Sequence, residues 1–590
     1  MAIKPSEEQV WRKDYTEAGK NFSFPKNMNV YDLVYEENRK RKDNIAIEYE
    51  GKNIRFGDFF DKVDERTDYF KSLGVKPNDI VTMATLSTPN FIYDFYSLGR
   101  LGAVSNLIDP RTNIEGIKHY IDEAGSDIII FNDLFIDKIL KAIDDGDYKL
   151  ISNSLFGDSR LLETPLNIVS VLTGLKSELL RMKDSRIIKY PKTIVTPDTT
   201  IPADRKNEDL TIVHTGGTTG IPKGVVLTHD NYNAVAYEYL TSNIGFQPGD
   251  KFMIIMPPWI SYGSGLLHMT LVGGMTAEII PKQNGKKMDQ TLIKNQPTWF
   301  AGVPAHFVNM IDRNIAKGDA FKGIKSGAVG GGATPAELYE EADKYFMDHG
   351  CQQGVIPGYG LTECSSTFAA RQNADFHPGS VGQPLPGCTV GIFKFDEDTF
   401  ETVDEELGYN QKGEICVRTP GIMKGYYKNQ EMTDKVLRKH KDGKIWLHTG
   451  DLGYIEEGGY LFVDGRIKEL IIRHDGFKVY PNLIENVILK VNGVESVKVV
   501  GVKDPNNNVG DIPRVYFTIK SDFEPYTQQI LEKVQEECYK DLSEYYTEGI
   551  SFEIIDKMPL TPIGKVDYRL LQEQGNAKLQ EEHKQKTKRK

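Results

Sequence analysis

Short runs of β-branched and aromatic residues alternate with longer helix-like stretches along most of the chain, and this alternation constrains the fold more than any other feature. Strands are predicted at residues 45–49, 80–84, 127–131, 210–213 and 252–256, and helices at residues 59–70 and 90–100. Strands that alternate with helices in this way build sheets whose strands run mostly parallel. The sequence therefore predicts an α/β architecture up to about residue 460.

The pattern changes after Arg466. A helix is expected to begin at residues 485–489, strands are expected at 497–502 and 515–519, and a second helix at 528–539. About 120 residues suffice for one small domain. We therefore expect a compact α+β unit at the C-terminal end of the chain.

Two other segments each allow two interpretations. Residues 165–183 place apolar side chains on one helical face after Thr164, a good N-cap, and Pro165, a good first helical residue. This helix would either pack on the large domain or dock on a partner or membrane surface. Residues 577–590 are polar and end in KQKTKRK, which is typical of a frayed, solvated tail or of a basic partner-binding arm.

Charge and cysteine content exclude several classes of function. The net charge of −12 argues against broad binding to nucleic acid, which needs a basic surface. Five cysteines have no metal-ligand spacing and suit no closed disulfide framework: Cys351, Cys364, Cys388, Cys416 and Cys538. The N-terminus is polar, and no run is long and apolar enough for an integral membrane segment. We expect a cytoplasmic protein with reduced thiols.

The segment 215–224, TGGTTGIPKG, follows a predicted strand and has the composition of a phosphate-binding loop. Glycines expose backbone N–H groups and tolerate positive φ, and threonine hydroxyls and a lysine add donors for phosphate oxygens. The loop differs from the Walker pattern GxxxxGK[ST], because Pro222 precedes Lys223 and Gly224 follows it. Taken alone, the segment predicts a cradle for phosphate or an ordinary glycine-rich loop.

Further motifs follow in a fixed order. They are PGYGLTE at 357–363, TGDL at 449–452, DGR at 464–466 and PLTPIGK at 559–565. With these motifs, the sequence resembles the adenylate-forming superfamily of acyl-CoA synthetases, firefly-luciferase-like enzymes and peptide-synthetase adenylation domains, from about residue 30 to about residue 571. The resemblance is greatest to stand-alone acyl-CoA synthetases.

The resemblance implies an α/β fold of two domains, of which the smaller is mobile. The large N-terminal domain, residues 1–467, would contain stacked mixed or parallel sheets and a β-barrel-like subdomain, and would bind ATP and the acyl group. The small mobile α+β domain, residues 468–580, would carry the catalytic lysine, and residues 581–590 would form a basic tail.

The resemblance also implies a role for each matching residue. The expected ATP-binding residues are Thr215, Gly216, Gly217, Thr218, Thr219, Gly220 and Lys223 at the phosphates, Gly330, Gly331, Gly332 and Tyr359 around adenine, and Asp451 and Arg466 at the ribose. Lys565, Glu363 and Thr362 match the catalytic positions, and Glu363 and Thr362 also match the contacts to Mg²⁺. Cations at these positions would screen the repulsion between a carboxylate and the α-phosphate that it attacks.

The second half-reaction would use other residues. Lys468 matches the hinge about which the small domain swings, and Gly476 and Lys478 match the channel for the thiol of CoA. Many relatives carry a histidine where Ile260 stands. Trp259 and Tyr262 are therefore expected either to shape the acyl and thiol passage or only to pack in the core. Trp299 and Gly302 are expected to border the acyl pocket, because an aromatic ring beside a glycine suits an apolar acid.

Adenylation is common to the whole superfamily, so the acyl acceptor separates the alternatives. An acid–thiol ligase that uses ATP, Mg²⁺ and CoA is the preferred hypothesis, because the run 257–265 has no aspartate of the kind that holds an amino group. An enzyme that loads an acyl carrier protein is the second hypothesis. A luciferase-like or amide-forming enzyme and a non-catalytic binding protein are the others, and the presence of Glu363, Asp451 and Lys565 argues against the last.

Overall fold

The structure is a computed structural model of the 590-residue chain. It describes residues 3–143, 146–153, 184–189, 208–215, 223–280, 285–332, 334–372, 375, 377–396, 399, 401–475, 477–504, 510–560 and 566–589. Every structural statement below concerns these residues.

The first large sheet has eight strands and is mainly parallel. In spatial order the strands are Gly425–Tyr426, Lys223–Thr228, Asp209–Thr215, Val104–Leu107, Ile80–Ala84, Ile128–Asn132, Lys149–Asn153 and Ile187–Lys189. The two strands at the Gly425 end are antiparallel to their neighbours, and the others are parallel. This edge of the sheet therefore carries a hairpin, formed by Asp209–Thr215 and Lys223–Thr228.

The second large sheet has nine strands with a parallel centre. In spatial order they are Gln383–Pro384, Ser366–Ala370, Val355–Leu361, Ser326–Val329, Trp299–Gly302, Lys251–Ile254, Thr276–Ile279, Ile45–Tyr49 and Lys52–Arg55. Antiparallel strands close both edges. The central strands are buried and nearly continuously apolar, as is typical of parallel strands covered on both faces.

The main core contains residues of both sheets and of the helices that pack on them. Of these helices, Ser261–Val272 is buried on nearly every side, as its apolar sequence predicts. The ends of Pro89–Leu101 follow from local chemistry: Thr88 Oγ1 accepts a hydrogen bond from the Phe91 amide, Pro89 is the first residue, and Gly102 ends the helix with φ +76°.

The remaining helices of the large domain lie mainly in the connections between strands. The α-helices before residue 467 are Pro5–Glu8, Glu17–Lys20, Val30–Asn38, Phe56–Ser72, Pro89–Leu101, Ile114–Ala124, Ile136–Ala142, His229–Leu240, Ser261–Val272, Met288–Asn295, Pro304–Arg313, Ala336–Asp348 and Gln430–Val436. Short 3₁₀ turns add Val10–Asp14, Asp133–Phe135, Gly285–Lys287 and Thr362–Cys364.

A third, wholly antiparallel sheet completes the large domain. Its strands are Thr402–Glu406, Thr389–Phe395, Gly413–Arg418, Ile445–Ile455 and Leu437–Lys439 in spatial order, and Leu461–Arg466 pairs with Ile445–Ile455. The eleven residues of Ile445–Ile455 let one strand pair with three neighbours. This sheet lies where the resemblance implies a β-barrel-like subdomain.

The C-terminal part forms a separate small α+β unit with its own core. It contains the 3₁₀ turns Ile467–Glu469 and Ser521–Tyr526, the two-stranded ladder of Ile471–Ile472 and Lys478–Val479, the sheet of Val494–Lys503, Asp511–Ile519 and Ser551–Ile554, and the helices Pro481–Leu489, Thr527–Asp541, Glu544–Thr547 and Tyr568–Arg589. The predicted α/β class with a small α+β unit is confirmed, while the boundary at residue 467 stays a prediction.

One expectation about the C-terminal unit is wrong: the first helix begins at Pro481 rather than at Glu485, because proline suits the first position of a helix. The chain from residue 577 onward is helical to Arg589, which argues against a frayed tail, while the basic partner-binding arm stays a prediction. Lysine, glutamine, glutamate and alanine favour helix there, and the preceding turns are anchored, since Gln572 Nε2 donates to the Gly501 carbonyl over 2.7 Å.

Residues 165–183, for which a one-faced helix is predicted, lie outside the described residues. Among the helices that are described, none combines the length and the apolar character needed to cross a membrane.

Candidate active site

One cleft of about 1160 Å³ lies where the three sheets of the large domain meet the C-terminal unit. The first sheet contributes Thr215 and Lys223, and the second contributes the carboxyl end of Val355–Leu361. The third contributes Thr449, Gly450 and Arg466. Ligands of α/β proteins commonly bind at the carboxyl ends of parallel strands, so the position of the cleft fits a binding site.

The predicted phosphate loop begins and ends at this cleft. Thr215 and Lys223 are partners across the hairpin, and both line the cleft. The residues between them, which include Gly216, Gly217, Thr218, Thr219 and Gly220, lie outside the described residues. Strand pairing therefore fixes the two ends of the loop at one point of the cleft wall.

The ammonium of Lys223 is partly removed from water and lies near groups of both charges. It is 5.0 Å from the centre of the Tyr426 ring. Burial lowers the pKa of Lys223, the nearby Glu363 carboxylate opposes this, and the ammonium groups of Lys468 and Lys435 lower the pKa further. An anion bound among these three ammonium groups would relieve their mutual repulsion.

Glu363 is held by a tyrosine that the sequence analysis did not identify. It lies in the 3₁₀ turn Thr362–Cys364, directly after the strand Val355–Leu361. Tyr426 Oη donates a hydrogen bond of 2.7 Å to Glu363 Oε1. Burial and the Glu363 charge raise the pKa of Tyr426, so the phenol remains a neutral donor. Thr362 and Glu363 both line the cleft.

Asp451 and Arg466 form a cross-strand pair. They stand opposite each other in the ladder of Ile445–Ile455 and Leu461–Arg466. Arg466 Nε lies 2.8 Å from Asp451 Oδ1, and Arg466 Nη1 donates to the Thr449 carbonyl over 3.0 Å. Register alone thus brings the guanidinium and the carboxylate together.

Tyr359 and Asp451 are bonded to each other. Tyr359 Oη donates to Asp451 Oδ2, and burial together with the Asp451 charge raises the pKa of Tyr359 well above its usual range. Arg466 and Gly450 line the cleft, whereas Tyr359 and Asp451 lie behind the described residues that line it. The two predicted nucleotide contacts are therefore adjacent, and Arg466, which pairs with Asp451, reaches the cleft.

The three predicted glycines follow the strand Ser326–Val329. Gly331, with φ +79°, lines the cleft. A Cβ on Gly330 would lie 3.5 Å from the hydroxyl of Tyr262, and one on Gly332 would lie 3.5 Å from Pro304 Cδ. These are ordinary van der Waals distances, so of the three positions only Gly331, with its positive φ, requires glycine for its backbone.

The predicted acyl-pocket residues divide between two spaces. Trp259 and Tyr262 line the cleft, and the guanidinium of Arg111 lies 5.1 Å from the Trp259 ring. Tyr262 and Trp299 also line an apolar pocket of about 30 Å³ that lies deeper in the second sheet. Gly302 lines neither space; a Cβ there would lie 3.1 Å from His306 Nδ1. Tyr262 therefore borders both the cleft and the inner pocket, as Gly358 and Thr367 do.

The C-terminal unit contributes one wall of the cleft. Lys468, in the 3₁₀ turn Ile467–Glu469, lines it, whereas Lys478 lies in a short strand paired with Ile472 and does not. Gly476 and Lys565 lie outside the described residues. The last helix adds side chains that sequence reasoning missed, namely Tyr568, Arg569, Gln572, Glu573 and Asn576.

Comparison with known proteins identifies the class of this chain. The family model for AMP-binding enzymes matches residues 34–427, and the model for their C-terminal domain matches residues 483–565. The first match covers more than half of the chain, so the chain belongs to the family of AMP-binding enzymes.

Individual relatives extend over nearly the whole chain. A long-chain-fatty-acid–CoA ligase of Bacillus subtilis is 26% identical over 90% of this chain and 92% of its own length. A 2-succinylbenzoate–CoA ligase of Bacillus thuringiensis is 27% identical over 84% and 90%. The crystal structure of ATP-bound MatB from Rhodopseudomonas palustris superposes with a TM-score of 0.75 at 22% identity, over 93% of this chain and 99% of MatB. This last likeness confirms the fold.

Proposed function

We propose that this enzyme is an ATP-dependent acid–CoA ligase that works through an acyl-adenylate. A carboxylate oxygen of the acid attacks the α-phosphorus of ATP, the bond to the β-phosphate breaks, and pyrophosphate leaves. The thiol of CoA then attacks the acyl carbon, a thioester forms, and AMP leaves. The observation that carries the proposal is that Lys223 of the first sheet, Glu363 in the turn after a strand of the second, and Arg466 of the third all border one cleft.

The charges around the cleft suit the first half-reaction. A carboxylate and a triphosphate repel each other, so cations must be arranged before they react. Four cations border the cleft: the ammonium groups of Lys223, Lys435 and Lys468, and the guanidinium of Arg466. In the proposal, Lys223 and the loop from Thr215 hold the departing pyrophosphate, and Arg466 contacts the ribose and α-phosphate.

The residues expected to bind Mg²⁺ have suitable donors. Glu363 and Thr362 present a carboxylate and a hydroxyl on the cleft wall, and oxygen ligands are those that Mg²⁺ prefers. The hydrogen bond from Tyr426 fixes the orientation of the Glu363 carboxylate. In the proposal these two residues hold the ion, which would neutralise phosphate charge.

Asp451 is proposed to bind the ribose hydroxyls. Its carboxylate accepts bonds from Tyr359 and Arg466 and is 5% exposed. A carboxylate can accept two hydrogen bonds from vicinal hydroxyls. For Asp451 to do so, one of the two groups now bonded to it must move away. We therefore propose that nucleotide binding replaces the Tyr359 hydroxyl on Asp451, which would release the tyrosine ring to stack on adenine.

The acid is proposed to be apolar at the end distant from its carboxylate. The inner pocket is lined by the aromatic residues Tyr239, Phe246, Phe252, Tyr262, Trp299 and Phe300, among others. Pockets with such linings bind apolar groups. Its volume of about 30 Å³ accommodates only a small terminal group in this arrangement.

The acceptor is proposed to be CoA, because the long-chain-fatty-acid and 2-succinylbenzoate relatives are named CoA ligases. The test uses a panel of short, medium, long and aromatic acids with ATP and Mg²⁺, and measures pyrophosphate release with and without CoA. Acid-dependent release that CoA accelerates, with thioester formed, supports the proposal. Release that only an acyl carrier protein accelerates would favour the alternative hypothesis.

Lys565 is proposed to join the substrate carboxylate to the α-phosphate. Lys565→Ala is expected to abolish acid-dependent pyrophosphate exchange while the circular dichroism spectrum stays unchanged. Lys557→Ala, which removes an exposed lysine eight positions earlier, is the matched control and should retain exchange. Undiminished exchange in Lys565→Ala would count against this role.

A further inference from the structure

A buried cluster of three metal-ligand side chains lies in the antiparallel sheet, beneath the Asp451–Arg466 pair. Glu414 and Cys416 stand two positions apart on Gly413–Arg418 and so share one face of the sheet. His448 is the cross-strand partner of Cys416. Its Nδ1 lies 2.7 Å from Glu414 Oε2 and 3.5 Å from Cys416 Sγ. The three ligand atoms lie within 4.8 Å of one another.

A second layer of contacts surrounds these three groups. His448 Nε2 lies 2.9 Å from His440 Nε2, and His440 Nδ1 lies 3.2 Å from Asp404 Oδ1. The amide of Gly450 donates to Glu414 Oε1 over 2.8 Å. Metal-binding histidines and carboxylates usually have outer partners of this kind, which fix the tautomer and the orientation of the ligand.

His440 keeps one nitrogen without a hydrogen bond when no ion is present. The contacts His440–His448 and His448–Glu414 each use one hydrogen, and two neutral imidazoles supply both. The Nδ1 lone pair of His440 then faces Asp404 Oδ1 at 3.2 Å, and this buried nitrogen makes no hydrogen bond among the described residues.

A divalent cation would use all three ligand atoms, the thiol included, and would turn the His440 Nδ1–H towards Asp404. We propose that Glu414, Cys416 and His448 bind one Zn²⁺ ion, with His448 binding through Nδ1. The Nε2–H of His448 then donates to His440 Nε2, and the Nδ1–H of His440 faces Asp404. The thiol proton of Cys416 passes to solvent, and each imidazole keeps one hydrogen. One thiolate and one carboxylate neutralise the two charges of the ion.

The chemistry of the set favours zinc over magnesium. Thiolate, imidazole and carboxylate together are typical zinc ligands, whereas Mg²⁺ prefers an all-oxygen set. Glu414 and His448 also border the cleft, which gives an ion a route from solvent. With three protein ligands, the fourth position of the ion would be open to water from the cleft. Through Glu414 and the Gly450 amide, the ion would brace the strand that carries Asp451. The inference is independent of the proposed reaction.

Cobalt provides the spectroscopic test. The full-length protein is stripped with a chelator and titrated with Co²⁺, which substitutes for zinc. One equivalent is expected to bind and to produce the near-ultraviolet charge-transfer absorption of a cobalt–thiolate bond, and Zn²⁺ is expected to displace it. Cys416→Ser should lose that absorption and bind Co²⁺ at least about tenfold more weakly, and His448→Gln should bind it more weakly as well.

Two controls separate this site from others. Cys351→Ser removes a buried thiol elsewhere, whose Sγ donates to the Lys325 carbonyl over 3.4 Å, and should retain the cobalt spectrum. Glu363→Gln alters the proposed magnesium site and should retain it too. The proposal is overturned if the wild-type protein binds no stoichiometric cobalt, if the bound cobalt shows no thiolate absorption, or if Cys416→Ser binds it equally well.

Discussion

At the residue scale, Tyr426 links two charged groups of the cleft: its hydroxyl bonds Glu363, and its ring lies beside the ammonium of Lys223. Tyr426→Phe keeps the ring and removes the hydrogen bond. Bonds to charged groups contribute about 1.5–3 kcal/mol, so the concentration of Mg²⁺ giving half-maximal activity should rise about tenfold or more. Steady-state kinetics over a Mg²⁺ series measures this.

Tyr427→Phe is the matched control, because the hydroxyl of that neighbouring tyrosine bonds only the Ala124 carbonyl in the described contacts, over 3.2 Å. It should leave the Mg²⁺ dependence unchanged. An equal shift in both variants, or in neither, would contradict the role assigned to Tyr426.

A second prediction concerns Glu238, which is completely buried. Burial raises the pKa of Glu238 to about 7, against a partly opposing hydrogen bond from Thr419. The folded protein therefore keeps a proton that the unfolded chain releases above about pH 4.5. The contribution of Glu238 to the free energy of unfolding therefore falls by about 3 kcal/mol as the pH rises from about 4.5 to about 7. Above about pH 7 it stays constant.

Glu238→Gln removes this titration, so its stability relative to wild type should increase from pH 5 to pH 8. Urea unfolding of both proteins at each pH measures the difference between their free energies of unfolding. Buried neutral histidines such as His268 make stability rise with pH, but they do so equally in both proteins and so do not affect the difference. The exposed Glu457→Gln variant serves as the control. A pH-independent difference between Glu238→Gln and wild type would contradict the assignment.

Sequence reasoning located residues of the site better than it located their partners. Four predicted residues belong to motifs that can be recognised in the sequence, and all four lie in or beside the cleft: Lys223, Glu363, Asp451 and Arg466. Tyr426 is 63 positions from Glu363, so only the tertiary fold reveals their hydrogen bond. The bond between Tyr359 and Asp451 was beyond prediction for the same reason.

At the element scale, the buried helix Ser261–Val272 depends on glycine near its start. A Cβ on Gly263 would lie 2.0 Å from the Pro257 carbonyl oxygen, a backbone atom that cannot give way as the end of a flexible side chain can. Gly263→Ala should lower the free energy of unfolding by about 1–3 kcal/mol or more, as overpacking does. Urea unfolding with tryptophan fluorescence measures the loss.

Gly57→Ala is the matched control in an outer helix, where the new Cβ would meet nothing nearer than 3.4 Å. It should be neutral or stabilising by up to about 1 kcal/mol, since alanine favours helix over glycine. Equal stability of the two variants would mean that the packing at Gly263 does not constrain the helix.

Elements with strong periodicity were predicted well and polar ones poorly. The predicted strand 45–49 is observed as Ile45–Tyr49, and the predicted helix 59–70 lies within Phe56–Ser72. The polar residues of Tyr568–Arg589 have no apolar periodicity to identify them as a helix. Part of that helix is ordered by contacts distant in sequence, such as the 2.8 Å ion pair of Lys578 with Glu553.

At the scale of the whole molecule, two ion pairs among the described residues join the C-terminal unit to the large domain. Lys490 lies 2.6 Å from Glu337, and Lys520 lies 2.8 Å from Asp312. Exposed pairs contribute about 0.2–1 kcal/mol each and weaken with salt. Lys490→Glu combined with Lys520→Glu should therefore favour more open arrangements, seen as a larger radius of gyration in small-angle X-ray scattering at low salt.

Restoring the charges by adding Glu337→Lys and Asp312→Lys should return the radius to its wild-type value. At high salt the differences among the three proteins should diminish. An unchanged radius in the double charge reversal would mean that these pairs do not hold the two units in this arrangement.

The central claim is that the acid becomes bonded to AMP before it meets the thiol, and oxygen labelling tests this most directly. The most active acid of the panel is supplied with ¹⁸O in both carboxylate oxygens, together with ATP, Mg²⁺ and CoA, and the products are analysed by mass spectrometry. Because the attacking oxygen stays on phosphorus when the thiol displaces AMP, we predict one ¹⁸O in AMP, one in the thioester and none in pyrophosphate. Unlabelled AMP, or ADP with labelled inorganic phosphate, would contradict the acyl-adenylate mechanism.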